Sequence, residues 1–317
     1  MTEPVKNTAT DAVALPTGWK ASDSPVKRAF AKSRLVQVAA GVLALLVLVT
    51  VFAPWLALHN PFDPANLELM DAFTPVWSQG MGEMFFPLGA DDQGRDVYSA
   101  ILYGLRMSVF VGVSAVALSL IIGVPLGLIA GYAGGWFDTL LMRIADVQLT
   151  FPVILVALLI FGIARGVLPE GYRDDMAVLV IIVAIGLSDW VQYARTVRGA
   201  VMVEKQKDYV LAAQLIGRSQ TAILTKHILP NMLAPILVIA TISFAHAIVA
   251  ESTLSYLGVG LPPTSPSLGT LIRIGQGFLF SGEWWILLFP SLVLLALALS
   301  VNLVGDWLRD ALNPKLQ

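Results

Sequence analysis

The sequence predicts an all-α polytopic membrane protein with six transmembrane helices and both termini on the cytoplasmic side. Composition is the first ground. Of 317 residues, 56% are apolar and 13% charged, with a mean hydropathy of +0.75. Soluble domains carry roughly 45–50% apolar and about 25% charged residues. The second ground is six apolar runs near the ~20-residue length that crosses a bilayer. They cover residues 35–58, 107–132, 140–163, 176–193, 232–257 and 284–307. The third is the placement of Lys and Arg, which collect on cytoplasmic loops. Two segments, the tail before the first span and the insert after the fourth, hold 12 of the 20 basic residues.

Taken in order, residues 1–34 form a polar tail with Lys6, Lys20, Lys27, Arg28, Lys32 and Arg34. It lacks the apolar core of a cleavable signal peptide and reads as a disordered cytoplasmic segment. Span one, 35–58, leads to a periplasmic loop at 59–106. Between His59 and Ala100 that loop has one basic residue, Arg95, against seven Asp and Glu. Span two carries Gly123, Gly127, Gly131 and Gly135, spaced by four, a stripe along which another helix approaches closely. The stripe is either simple packing or a rocking contact in a moving bundle. Pro125, Pro152 and Pro290 each remove a backbone donor and bend a span. Arg143 and Asp146, three apart, suit a local ion pair, and Asp189 is placed near the cytoplasmic end of span four. The insert then adds Arg195, Arg198, Lys205, Lys207, Arg218 and Lys226. Residues 107–310 form the core of five further spans, and 311–317 a cytoplasmic C-terminus.

Ionisable residues at membrane depth are expensive and mark function by default. Glu251 lies deep in span five, with His246 one and a half turns before it and Ser255 one turn after. These three are candidates for a translocation path or a gating hydrogen bond. The alternative is a carboxyl group satisfied by neighbouring helices or held neutral.

Enzyme chemistry finds little support. Zero cysteines exclude disulfides, thiolate metal sites and cysteine nucleophiles. His59, His227 and His246 are too scattered for a zinc motif, so no metal site and no catalytic residue is assigned. Ser252 and Ser255 lack a Gly-x-Ser-x-Gly elbow, and no Gly-Lys-Ser/Thr loop binds ATP. A net charge of −2 offers nothing to nucleic acid.

The most informative stretch is the polar interruption at 208–230, DYVLAAQLIGRSQTAILTKHILP. Ala212, Ala213, Leu215 and Ile216 make a short helix with a small apolar face. Gly217 permits a tight turn, Thr221 to Ile228 reads as a second short helix, and Pro230 admits the chain to span five. Such an elbow fits a groove in a partner or lies on lipid headgroups. Its Ala-Ala, Gly and Leu-Pro spacing resembles the EAA loop of ABC-importer permeases, with Ala212, Ala213, Gly217, Leu229 and Pro230 on the pattern. Leu211 replaces the name-giving Glu, so no salt bridge from that position is carried over, and His227 stands where Ile is common. Both departures occur in the peptide-importer branch.

Other segments resemble the same branch. Pro87-Leu-Gly-Ala-Asp-Asp-Gln-Gly-Arg-Asp96 is similar to the signature before span two of dipeptide and oligopeptide permeases. Gly131-Tyr-Ala-Gly-Gly-Trp-Phe-Asp138 with Met142-Arg143-x-x-Asp146, Ala250-Glu251-x-x-Leu-Ser-Tyr-Leu-Gly258, and Asn302-Leu-x-Gly-Asp-x-Leu-Arg-Asp-Ala-Leu-x-Pro314 follow it too. The likeness extends from about residue 35 to the end and is nearest to the shorter, C-type permease subunit, in particular of dipeptide importers.

The resemblance implies a type I ABC importer permease fold in a bacterial inner membrane. It implies a homologous B-type permease subunit, two ATPase subunits that hold ATP and Mg2+, and a periplasmic solute-binding protein. The chain itself then needs no cofactor. The coupling loop, 195–230, with Tyr209, Ala212, Ala213, Gly217 and Pro230, would take ATPase motion to the spans. The cargo is expected to be di- or oligopeptide, with nickel, glutathione or peptide antibiotics as alternatives. A stand-alone secondary transporter would show paired repeats with broken helices, and no internal repeat is visible.

Overall fold

Backbone in hydrocarbon must satisfy its own hydrogen bonds, and the chain does so almost entirely with helices. The computed structural model describes residues 30–312 apart from 32, 64–66, 82, 83 and 263. Most of the 1–34 tail, the 313–317 end and Pro263 therefore lie outside the described residues. Helix α1 is Arg34–Leu56, entered through Ser33, whose hydroxyl accepts from the Val36 amide. Strands β1, Ser78–Gln79, and β2, Phe85–Phe86, pair antiparallel in the following loop, a small hairpin that an all-helical expectation did not contain. Helix α2 is Val97–Ala133, α3 Gly135–Thr150, α4 Val153–Val167 and α5 Arg173–Glu204. The insert begins with α6, Asp208–Leu215, and α7, Gln220–Ile223, and leads to α8, Leu233–Tyr256. Helices α9, Leu268–Gln276, and α10, Trp285–Ala311, complete the described chain.

Five of these helices are long and apolar enough to cross a membrane, and the α3–α4 pair makes a sixth if counted as one bent span. The expected span at 140–163 is formed by two helices that meet at 96°. Pro152 explains the break: it has no amide hydrogen, and it forces Phe151 into extended backbone, φ −94° and ψ 138°. Span two begins ten residues earlier than expected, at Val97. Span four ends eleven residues later, at Glu204, so residues 195–204, the first part of the expected 195–230 loop, continue the helix.

Helix α2 is the axis of the molecule, packed against α1, α5, α8, α9 and α10. Its union with α5 is the most extensive and rests on the glycine stripe. A methyl group at Gly123 would sit 2.5 Å from the Trp190 carbonyl oxygen, and one at Gly127 2.5 Å from that of Ala194. At Gly131 it would meet the Arg198 carbonyl oxygen at 2.8 Å. Gly135 does not belong to this stripe. The helix ends at Ala133, Gly134 and Gly135 turn with φ +66°, and nothing lies within 4 Å of the Gly135 position. The fourfold spacing continues in sequence but not in space.

The 87–96 segment proves to be a clamp at the start of α2. Gly89 adopts φ +81° beneath the Trp285 indole, whose Nε1 donates to the Ala90 carbonyl at 3.1 Å. Asp91 accepts from the Gln93 and Arg95 amides, both at 2.9 Å, and from Arg95 Nε at 2.6 Å. Asp96 caps α2, accepting from the Ser99 amide at 2.8 Å and the Ser99 hydroxyl at 2.6 Å. That hydroxyl oxygen also accepts from the Leu58 amide at 3.1 Å, which fastens α1 to the cap. Asp96→Ala is expected to destabilise the chain by about 1–2 kcal/mol, read as a lower thermal transition in detergent, with Asp96→Asn close to wild type.

Candidate functional site

At the end opposite the clamp, ionic and polar contacts hold α5 as a rod. Arg198 forks onto Asp138 of α3, its Nη2 donating at 2.7 Å, and Arg195 pairs with Asp146. Asp146 therefore serves mainly the neighbouring helix, with Arg143 at 3.8 Å a secondary partner. Lys205 Nζ donates to the Gly131 carbonyl at 2.9 Å. Trp190 Nε1 donates to Gln148 Oε1 at 2.9 Å, and Gln148 Nε2 returns to the Leu187 carbonyl at 2.8 Å. Partly exposed pairs of this kind are individually weak; here they act together on one helix.

The insert hangs from this rod. On α6, Val210 and Ala213 share a face at i, i+3 and are buried with Leu128, Val197, Val201, Ile223, Ile228 and Met232. The opposite face is apolar and uncovered: Leu211 is 45% exposed, Leu215 89% and Ile216 79%. Ala212 lies on that outer face. The expectation of one contact face containing both alanines is therefore corrected, since Ala213 anchors the helix to its own chain. The turn at Gly217 has φ +79°. The Arg218 amide donates to the Ala213 carbonyl at 3.1 Å and the Gly217 amide to Gln214 at 3.0 Å, a Schellman closure that needs the left-handed glycine.

Beyond the turn, Ser219 caps α7, accepting from the Ala222 amide at 3.3 Å. The helix widens to a π turn at Leu224–Ile228 and re-forms at Leu229–Asn231. Pro230 supplies the reason, because it has no hydrogen to donate one turn back. Tyr209 closes the structure. Its hydroxyl donates to Glu204 Oε2 at 2.6 Å and accepts from Asn231 Nδ2 at 3.1 Å. Burial, and then the Glu204 carboxylate, push the phenol above its ordinary pKa, so it remains a donor at neutral pH. One side chain thus ties the end of α5, the start of α6 and the entry to α8.

The three span-five candidates do not form one site. Glu251 is fully buried, accepting from Ser255 at 2.7 Å and Ser108 at 3.0 Å. Ser108 in turn accepts from the Leu268 amide at 3.2 Å. The carboxyl group joins α8 to α2 and to the start of α9, a nine-residue helix too short to register in a search for spans. His246 points elsewhere, into a cavity of about 240 Å3 with Asp189, Gln192 and Asn302. Asp189 falls at the middle of α5, because that helix runs on to Glu204. Glu251→Gln, which keeps an acceptor for the serines, is expected to hold uptake within about twofold of wild type. Glu251→Leu strands buried hydroxyls, a loss of about 1–3 kcal/mol each, and should lower the thermal transition in detergent. Among the described residues, no three His, Cys, Asp or Glu side chains gather to hold a metal ion.

Residues 123–317 match the sequence model of a family described as binding-protein-dependent transport system inner membrane component. Residues 25–75 match the N-terminal TM domain of oligopeptide transport permease C. The dipeptide transport system permease protein DppC of Haemophilus influenzae is 37% identical over 275 residues, 87% of this chain and 88% of the relative. The oligopeptide transport system permease protein OppC of Bacillus subtilis is 37% identical over 288 residues, 91% of this chain and 88% of the relative. Among solved structures, a chain of the inward-facing MetNI methionine ABC transporter superposes with a TM-score of 0.53 at 18% identity. The match covers 67% of this chain and 96% of that one, and at this identity it speaks for the fold.

Proposed function

This chain belongs to the binding-protein-dependent transport system inner membrane components, and from that premise we propose that it is the C-type permease subunit of a peptide importer. It spans the inner membrane of a bacterium and supplies half of the translocation path for di- and oligopeptides. A homologous B-type subunit supplies the other half. Two ATPase subunits dock from the cytoplasm, where ATP and Mg2+ are held, and a solute-binding protein delivers cargo from the periplasm. The chain performs no catalysis of its own. The basic insert and both termini face the cytoplasm, following the Lys and Arg distribution, and the 59–106 loop faces outward.

The observation that carries the mechanism is the uncovered face of Leu211, Ala212, Leu215 and Ile216 on a helix fixed at three points. Exposed apolar side chains beside charged ones mark an interaction surface. A partner gripping them moves α6, and Tyr209, Val210 and Ala213 pass the displacement to α5 and α8 as a rigid body. Peptide is favoured over nickel, glutathione or antibiotic because the relatives' names are peptide permeases.

The test is reconstitution of the complete importer in proteoliposomes with labelled alanyl-alanine. ATP-dependent accumulation that needs this chain and is displaced by unlabelled dipeptides, not by glutathione or nickel–histidine, is the expected result. Accumulation that ignores ATP would instead point to a secondary transporter.

A further inference from the structure

The mid-membrane cavity at His246 has no part in the brace at Glu251 or in the insert. Asp189, Gln192, Asn302 and His246 reach it from three helices, α5, α8 and α10, and Val153 and Ile154 of α4 form its wall. Asp189 is only 6% exposed, and among the described residues its carboxylate accepts no hydrogen bond. His246 and the buried Tyr193 of the same helix as Asp189 are the ionisable groups within electrostatic reach of it. The basic residues of α5 nearest in sequence, Arg195 and Arg198, are committed to Asp146 and Asp138. Helix α8 contains no Lys or Arg, and Arg165 of α4 is turned to Asp174 at 4.0 Å. A carboxylate at membrane depth faces water or a cation. The lining is mostly apolar, with Ala245, Val249 and Ala250 of α8 beside Val153 and Ile154, and the one acid, two amides and imidazole are the polar groups set into it.

We propose that Asp189, Gln192, His246 and Asn302 form a hydrated cation-binding site on the translocation path, taking the ammonium terminus of a passing peptide. This rests on the peptide-importer reading. Asp189 supplies the counter-charge, and Gln192 and the free carbonyl oxygen of Asn302 accept from the ammonium group. The Asn302 amide nitrogen is already spent on the Ala298 carbonyl at 3.0 Å. Peptides leave readily because the site offers one charge, with no second carboxylate to hold them.

The absence of cysteine from the natural sequence allows a direct test. His246→Cys is placed in the intact importer in nanodiscs and treated with cationic aminoethyl or anionic sulfonatoethyl methanethiosulfonate. Leu48→Cys, on the outer face of α1, is the lipid-facing reference. The thiol introduced by His246→Cys is expected to react well above the reference and about 10-fold faster with the cationic reagent, as a nearby unneutralised charge dictates. Adding Asp189→Asn should erase that preference, and Asp189→Asn alone should lower alanyl-alanine uptake about 10-fold with assembly intact. A thiol no more reactive than the reference, or a charge preference that Asp189→Asn leaves unchanged, overturns the proposal. The second outcome would show Asp189 already neutralised by the partner permease. Wild-type uptake, scored separately, tests the importer reading itself.

Discussion

An Ile216→Asp chain is expected to assemble with its permease partner at wild-type yield and to lose at least about 10-fold of ATP-driven uptake. Ile216 is 79% exposed and contributes little to the packing of its own chain, so the substitution leaves the insert folded. If that face seats in an ATPase groove, burying the side chain is worth about 1.5–3 kcal/mol. An aspartate there adds an unpaired charge in a desolvated contact. Each 1.4 kcal/mol is about tenfold in affinity, hence the minimum given. Val210→Asp is the informative contrast, because Val210 is fully buried at the root of α6 and its loss disorders the insert itself. Co-purification of the ATPase alongside uptake separates the two. Wild-type values of both for Ile216→Asp would remove the docking face from the mechanism.

Gly127→Leu is expected to prevent recovery of a folded chain in mild detergent, read as the monodisperse fraction on size exclusion. The first added carbon would stand 2.5 Å from the Ala194 carbonyl oxygen and 2.9 Å from the Val197 Cβ. One obstacle is backbone and the other is β-branched, so relief requires α2 and α5 to separate along their whole seam. Overpacking costs typically 1–3 kcal/mol even for small insertions, about the lower bound for Leu here. Gly199, on α5 with nothing within 4 Å, is the control. Gly199→Ala should be neutral or slightly stabilising, since Gly in a helix interior is about 1 kcal/mol worse than Ala. Equal yields for Gly127→Leu and Gly199→Ala would contradict the close seam.

Most of the architecture was legible because lipid leaves few options: an apolar run of sufficient length becomes a helix. The proline at 152 announced a bend, yet not that Phe151 would turn the chain through nearly a right angle. Helix α9 was invisible because nine residues capped by Ser267 look like loop when the search length is a bilayer. Helical phase would have corrected two site readings. His246 and Glu251 are five apart, about 140° around a helix at 100° per residue, so they cannot share a face. Ala213 lies about 60° from Val210 around the helix, so it goes with Val210 to the buried side while Ala212 stays on the outer face. The glycine stripe failed only at Gly135, where the spacing outlived the helix. The midpoint position of Asp189 depended on α5 running on through a stretch dense in Arg and Lys, whose ion pairs to α3 no single-helix pattern reveals. What the EAA-like motif did mark was the turn. Gly217 sits where the Schellman closure needs it, and Leu215 and Ile216 just before it, read from the sequence as part of an apolar face, are exposed on it.

The central claim is that the face ending at Leu215 and Ile216 is held by an ATPase. Leu215→Cys gives the chain a single thiol, which can carry a benzophenone maleimide and be irradiated in the reconstituted importer. The account predicts an adduct with the mass of this chain plus one ATPase subunit, abolished when the ATPases are omitted. An adduct formed only with lipid, with the B-type subunit or with the solute-binding protein would contradict it.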